Sequence, residues 1–170
     1  RSAPSGSAAG MIVYGEGTQA APRYDTWSGS SWSGSERSAQ TTEATIRWVT
    51  LAAAAVQKNR KVMGSLSSTG NLYVQAYDGD TDGWTSLFSI TGGLMNAAYK
   101  PFDIAFEQNS GRALIVYYNG TVRQVTYRVW SSTANAVVAG PANFALGSYN
   151  GAVSWVKLAP RPGTDDIMLV

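Results

Sequence analysis

The feature that most narrows the possible fold is a repeat. Sliding the 170-residue sequence along itself brings three kinds of segment into coincidence at a step near 50 residues. A β-branched run recurs as Met11-Ile12-Val13-Tyr14, Val62-Met63-Gly64-Ser65-Leu66, Leu114-Ile115-Val116-Tyr117 and Ile167-Met168-Leu169-Val170; the steps from Val13 to Met63, Val116 and Met168 are 50, 53 and 52. An aromatic run that ends in turn residues recurs at 24–29, 73–79 and 127–132, with Trp27, Tyr77 and Trp130 spaced by 50 and 53. The third run, at 47–52, 102–106 and 154–159, places Trp48, Phe102 and Trp155 at steps of 54 and 53. Three independent markers on one period indicate a unit that hides its apolar face against the next copy.

The units read as strands. Residues 122–130 alternate apolar and polar and are rich in Val, Thr, Tyr and Trp, which is the pattern of a half-buried strand. Asn109-Ser110-Gly111, Asn119-Gly120, residues 67–71 and Pro162-Gly163 supply turn chemistry between the runs. Each period therefore predicts a Trp-Val-x-Leu-Ala strand, an Ile-Val-Tyr strand, a Tyr-x-x-Trp strand and a shorter outer strand near Trp32, Trp84 or Val137. The alanine run 51–56 has helical propensity, but its counterpart is Leu158-Ala159-Pro160-Arg161-Pro162, so it reads as a strand end and loop. The expected fold is all-β: antiparallel four-stranded blades in a β-propeller-like array of about three units, a partial propeller in size because closed propellers use 4–8 blades. The boundaries are a flexible N-terminal segment at 1–10 and a repeat domain at 11–170, with units 11–44, 45–98 and 99–151 and a partial unit 152–170. The start at Arg1, without Met, reads as processed or trimmed.

Composition removes whole classes of chemistry. With no Cys and no His, Ser-His-Asp triads, cysteine nucleophiles and His/Cys zinc sites are excluded. The net charge is +2 with basic residues scattered singly, so no nucleic-acid partner is expected. No run approaches the roughly 20 apolar residues of a membrane helix, so no membrane span is expected.

The run Trp27-Ser28-Gly29-Ser30-Ser31-Trp32-Ser33, together with Ser110-Gly111-Arg112-Ala113-Leu114-Ile115-Val116-Tyr117, resembles the blade signature of bacterial and archaeal surface-protein propellers. More distantly it is similar to fucose-binding lectin and sialidase-type blades. The resemblance implies an extracellular or cell-surface setting, and fold analogy alone decides no activity.

Three groups are candidates for chemistry. Asp78, Asp80 and Asp82 have the Asp-x-Asp-x-Asp-Gly spacing of calcium loops, similar to those of integrin-head propellers; Ser89 stands where an EF-hand has Glu, and the alternative is a polar hairpin turn. Trp32, Trp84, Tyr24 and Tyr77 are candidate ligand-binding aromatics, since flat apolar rings suit the C–H faces of sugars; the alternative is inter-blade packing. Trp48, Phe102 and Trp155 are assigned to the core. Glycoside hydrolysis would need a carboxylate pair at defined separation, but Asp103 and Glu107, four apart on a strand, would stand roughly 13 Å apart. Asp25, Glu36, Tyr24 and Tyr127 are weaker candidates for the same chemistry. The functional expectation is a non-catalytic extracytoplasmic repeat module for adhesion, binding a glycan or protein surface ligand. The alternatives are a structural subunit that self-associates, or joins further repeats, into a surface ring or filament, and a fragment of a propeller glycoside hydrolase.

Overall fold

A computed structural model describes residues 10–57, 59–148 and 150–170. Residues 1–9 of the expected flexible segment lie outside the described residues, and the first strand already begins at Gly10. The chain is all-β, built as antiparallel meanders. The first sheet holds β1 (Gly10–Tyr14), β2 (Arg23–Trp27) and β3 (Arg37–Ser38). The second holds β4 (Ile46–Ala53), β5 (Arg60–Ser67), β6 (Leu72–Asp78) and β7 (Gly83–Ile90). The third holds β8 (Phe102–Phe106), β9 (Arg112–Tyr117), β10 (Gln124–Ser131) and β11 (Ala136–Ala145). The fourth pairs β12 (Leu158–Pro160) with β13 (Ile167–Leu169).

The repeating runs occupy equivalent strands. The Trp-Val-x-Leu-Ala type forms β4 and β8, the Ile-Val-Tyr type forms β1, β5, β9 and β13, and the Tyr-x-x-Trp type forms β2, β6 and β10. The alanine run closes β4 as a strand end through Ala53, where its backbone pairs with β5 and ladder pairing outweighs local propensity, and it continues as a loop beyond Ala54. The outer strands are not short where the sheets are complete: β7 has 8 residues and β11 has 10. Trp32 forms only an isolated bridge with Trp27, and the outer strand of the first sheet is the two-residue β3.

Both faces of the inner strands of the central sheets are buried, and strand alternation sorts the side chains between them. On β5, Val62 and Leu66 face the third sheet and Met63 faces the first. On β9, Ala113, Ile115 and Tyr117 face the second sheet, whereas Leu114 and Val116 face the fourth. Gly64 allows β5 and β8 to approach closely: a Cβ there would fall 2.7 Å from the Phe102 ring. The first two sheets are also tied by a buried amide exchange, in which Gln75 accepts from Gln40 N at 2.9 Å and donates to Gln40 O at 3.0 Å.

The assignment of Trp48, Phe102 and Trp155 to the core holds for Phe102 and, at the edge of the same cluster, for Trp48, but not for Trp155. Trp48 is half-buried and Trp155 is 55% exposed. Trp155 precedes β12 and is attached to its neighbour by a single parallel bridge to Lys100, so no ladder draws it inward.

Candidate functional site

Of the four aromatics expected to meet a ligand, three are interior. Tyr24, Tyr77 and Trp84 form the core between the first and second sheets, packed edge-on or tilted with centroids 5.3–6.1 Å apart. Arg37 lies over the Tyr24 ring at 4.6 Å, and burial, followed by a bond to Asp82, raises the Tyr77 pKa. Trp32 alone is on the surface, 46% exposed and tilted against Trp27 at 5.4 Å. The burial of the other three follows from their positions on the inward side of β2, β6 and β7, which the strand pattern leaves undecided between core and surface.

The three aspartates are all turned to arginines. Asp78 and Asp80 pair with Arg60, and Asn59 Nδ2 donates to Asp80 at 2.6 Å. Asp82, at φ +52°, pairs with Arg37 and accepts the Tyr77 hydroxyl at 2.6 Å. Among the described residues no cluster of three or more Asp, Glu, His or Cys side chains is arranged to hold a metal ion. The expected calcium loop folds as a hairpin turn whose aspartates are ion-paired to arginines reaching it from other strands.

The other carboxylates are similarly engaged. Asp103 is 1% exposed, bonded to Lys100 Nζ at 2.8 Å, Lys157 Nζ at 3.4 Å and Leu158 N at 2.8 Å. Burial opposes its charge, yet the Lys100 bond and the Leu158 amide hold its pKa below the usual carboxylate range. Asp25 accepts from Thr26 N and Ser33 Oγ, and Glu107 from Ser110 Oγ. Glu36 takes the Tyr14 hydroxyl, which pushes Tyr14 up to about 12.

The concave surface with exposed polar chemistry lies elsewhere, at the end of the sheets where β4 and β8 begin. Ile46 pairs with Ser67 and Phe102 with Tyr117, so the β5–β6 turn stands at the same end as these strand starts. The turn is anchored on the β7–β8 connection: Met95 N donates to Gly70 O at 3.2 Å and Gly93 N to Asn71 Oδ1 at 2.7 Å. Gly70 has φ +82°, and a Cβ there would fall 2.1 Å from Met95 O, so only glycine allows this junction. Between the two segments lies a cleft of about 630 Å³ lined by Arg47, Trp48, Ser68, Asn96, Ala97 and Ala98. Trp48 Nε1 donates to Ala97 O at 3.1 Å, which fixes the indole in the wall. Trp155 stands edge-on to Trp48, with centroids 5.7 Å apart and planes at 83°. Arg47 is exposed, and no ion pair joins it to a carboxylate of the described residues. Beside the cleft, Glu43 accepts bonds from Thr69, Asn71 and Ser67 of the turn, which hold its carboxyl below the usual carboxylate range, with Tyr73 turned to the same carboxylate.

No family model matches the sequence, and no curated protein matches it. Solved structures match the fold. A mutant of NanB sialidase from Streptococcus pneumoniae aligns at TM-score 0.52 with 13% identity, over 86% of this chain and 24% of that one. NanB sialidase from the same organism, in complex with a substituted ethanesulfonate, aligns at 0.54 with 12% identity, over 89% and 24%. The fold is that of a sialidase-like propeller segment. The chain spans about a quarter of the length of these structures, and at such identity the likeness carries fold and no residue roles. It does overturn the expectation that the chain stands apart from enzymes, since both matched structures are of an enzyme. Among the described residues no helix is long and apolar enough to cross a membrane, which leaves β-barrel crossing unaddressed.

Sequence reasoning missed the cleft. Arg47 looked like one more scattered basic residue, and Trp48 and Trp155 looked like core. No local signal separates Trp155 from its counterparts, since Val153 and Val156 flank it as Ile104 follows Phe102.

Proposed function

We propose that this chain is a glycan-contacting segment of a sialidase-like propeller and that contact is made in the cleft beside Trp48. The observation that carries this reading is the Trp48 indole in the cleft wall, with the exposed Trp155 ring edge-on to it and with Arg47, which has no carboxylate partner among the described residues, in the same lining. An exposed indole offers the flat apolar surface that sugar C–H faces pack on. Asn96, whose Oδ1 is already committed to Ala98 N at 2.9 Å, retains its amide NH₂ for a hydroxyl, and Ser68 adds a second polar edge. The Arg47 guanidinium supplies a planar fork suited to a sugar carboxylate. The sialidase likeness supports a glycan as the ligand class, and an extracellular or cell-surface location goes with it.

The test is calorimetric titration of the chain with sialyllactose and with lactose. Saturable binding of the acidic sugar is expected. Trp155→Ala should weaken it at least about tenfold, equivalent to about 1.4 kcal/mol. Arg47→Ala should weaken sialyllactose more than lactose. Absence of saturable binding to both sugars, or binding indifferent to Trp155→Ala, removes the reading.

A further inference from the structure

An asparagine followed by glycine can bring its carboxamide carbon onto the next backbone nitrogen, because glycine puts no Cβ in the way and leaves the backbone free to turn. The chain holds this pair twice, each time as Tyr-Asn-Gly, at 118–120 and 149–151. The fold treats the two copies differently. Asn119 lies in the β9–β10 turn, where its Oδ1 accepts from Thr121 N at 3.1 Å and Gly120 is held at φ +89°. The turn is packed on Leu94, whose side chain would lie 3.3 Å from a Cβ on Gly120. Bringing Asn119 Cγ onto Gly120 N means giving up that bond and moving a packed turn.

Asn150 is exposed in the irregular connection between β11 and β12, outside every strand. The Gly151 amide carries no backbone hydrogen bond among the described residues, so the nitrogen is open to reaction. The decisive contact comes from 27 positions earlier: Arg123 Nε donates to Asn150 Oδ1 at 3.1 Å. The third sheet places this arginine. Its backbone has φ +67°, its carbonyl accepts Leu146 N at 2.8 Å, and Gln124 pairs with Ala145, so the guanidinium leaves β10 beside the point where the connection leaves β11. Among the described residues no carboxylate forms an ion pair with Arg123.

We propose that Asn150 is a site of intramolecular deamidation promoted by Arg123. Hydroxide removes the Gly151 N–H proton, the nitrogen attacks Asn150 Cγ, and the negative charge collects on Oδ1, where the guanidinium already donates. The Cγ–Nδ2 bond then breaks, the nitrogen leaves as ammonia with a proton taken from water, and a cyclic imide remains. Water opens the imide at either carbonyl and leaves aspartate or, with the backbone rerouted through the side chain, isoaspartate. Either product sets a carboxylate beside Arg123, so the hydrogen bond becomes an ion pair and the formal net charge of +2 falls by one. The change falls in the segment that leads to Trp155, and it does not depend on the glycan reading.

The test follows both asparagines by tandem mass spectrometry while the full chain is incubated at mildly alkaline pH, with isoaspartate resolved by chromatography. In the folded chain Asn150 should convert about tenfold faster than Asn119, and in the urea-unfolded chain the two identical tripeptides should convert within about twofold of each other. Arg123→Asn, which tolerates the left-handed backbone and removes the cation, should slow Asn150 at least about threefold. Asn119, kept slow by the fold, reports in the same samples that the variant remains folded. Gly151→Ala should slow Asn150 about tenfold or more. Conversion of Asn119 as fast as Asn150 in the folded chain, or an Asn150 rate unmoved by Arg123→Asn, overturns the proposal.

Discussion

Asp103 shows how a residue's role is set by what reaches it. From sequence it is a strand carboxylate that a hydrolase could use; in the fold it is enclosed by Lys100, by Lys157 and by the Leu158 amide, the last two more than 50 positions away. A buried pair that loses one member leaves an uncompensated charge, so Asp103→Ala should cost about 3–5 kcal/mol in chemical denaturation. Its folded pKa lies below the unfolded value near 3.9, so its stabilisation is complete above that value and is lost as pH falls through the folded one. The wild-type denaturation midpoint should drop steeply below about pH 4, and the Asp103→Ala midpoint should drop less. Arg47, Trp48 and Trp155 were invisible for the same reason: type and spacing do not say whether a strand start is covered by its neighbours.

At the scale of elements the sequence was most readable. Period-2 alternation and Gly-containing turns located nearly every strand, because each depends on residues within a few positions. The β6–β7 turn was the exception. Its aspartates carry metal-loop spacing, yet Arg37 and Arg60 arrive from β3 and β5 and neutralise them. Calcium on the order of millimolar should therefore leave the melting temperature unchanged. A rise of several degrees that Asp80→Ala removes would restore the metal-loop reading. The β5–β6 turn depends on one residue: Gly70→Ala would both strain a positive φ and strike Met95 O, and should open the wall of the cleft. Its expected cost is about 1–3 kcal/mol by thermal melting.

For the whole molecule, stability rests on faces shared between sheets. Trp130 is fully buried in the cluster between the second and third sheets. Trp130→Ala should cost about 3–5 kcal/mol, and amide exchange should accelerate together in β5 and β10. Acceleration confined to β10 would show that the sheets are not one cooperative unit. The sequence by itself determined the all-β class, the step near 50 residues and the equivalence of strands, because repeat period and strand alternation are local properties. Only the tertiary structure decided which aromatics are covered, which carboxylates are paired and where concave surfaces open. Those outcomes depend on atoms that meet across sheets from positions tens of residues apart, and no periodicity in the chain encodes which face of a repeated strand finds a partner.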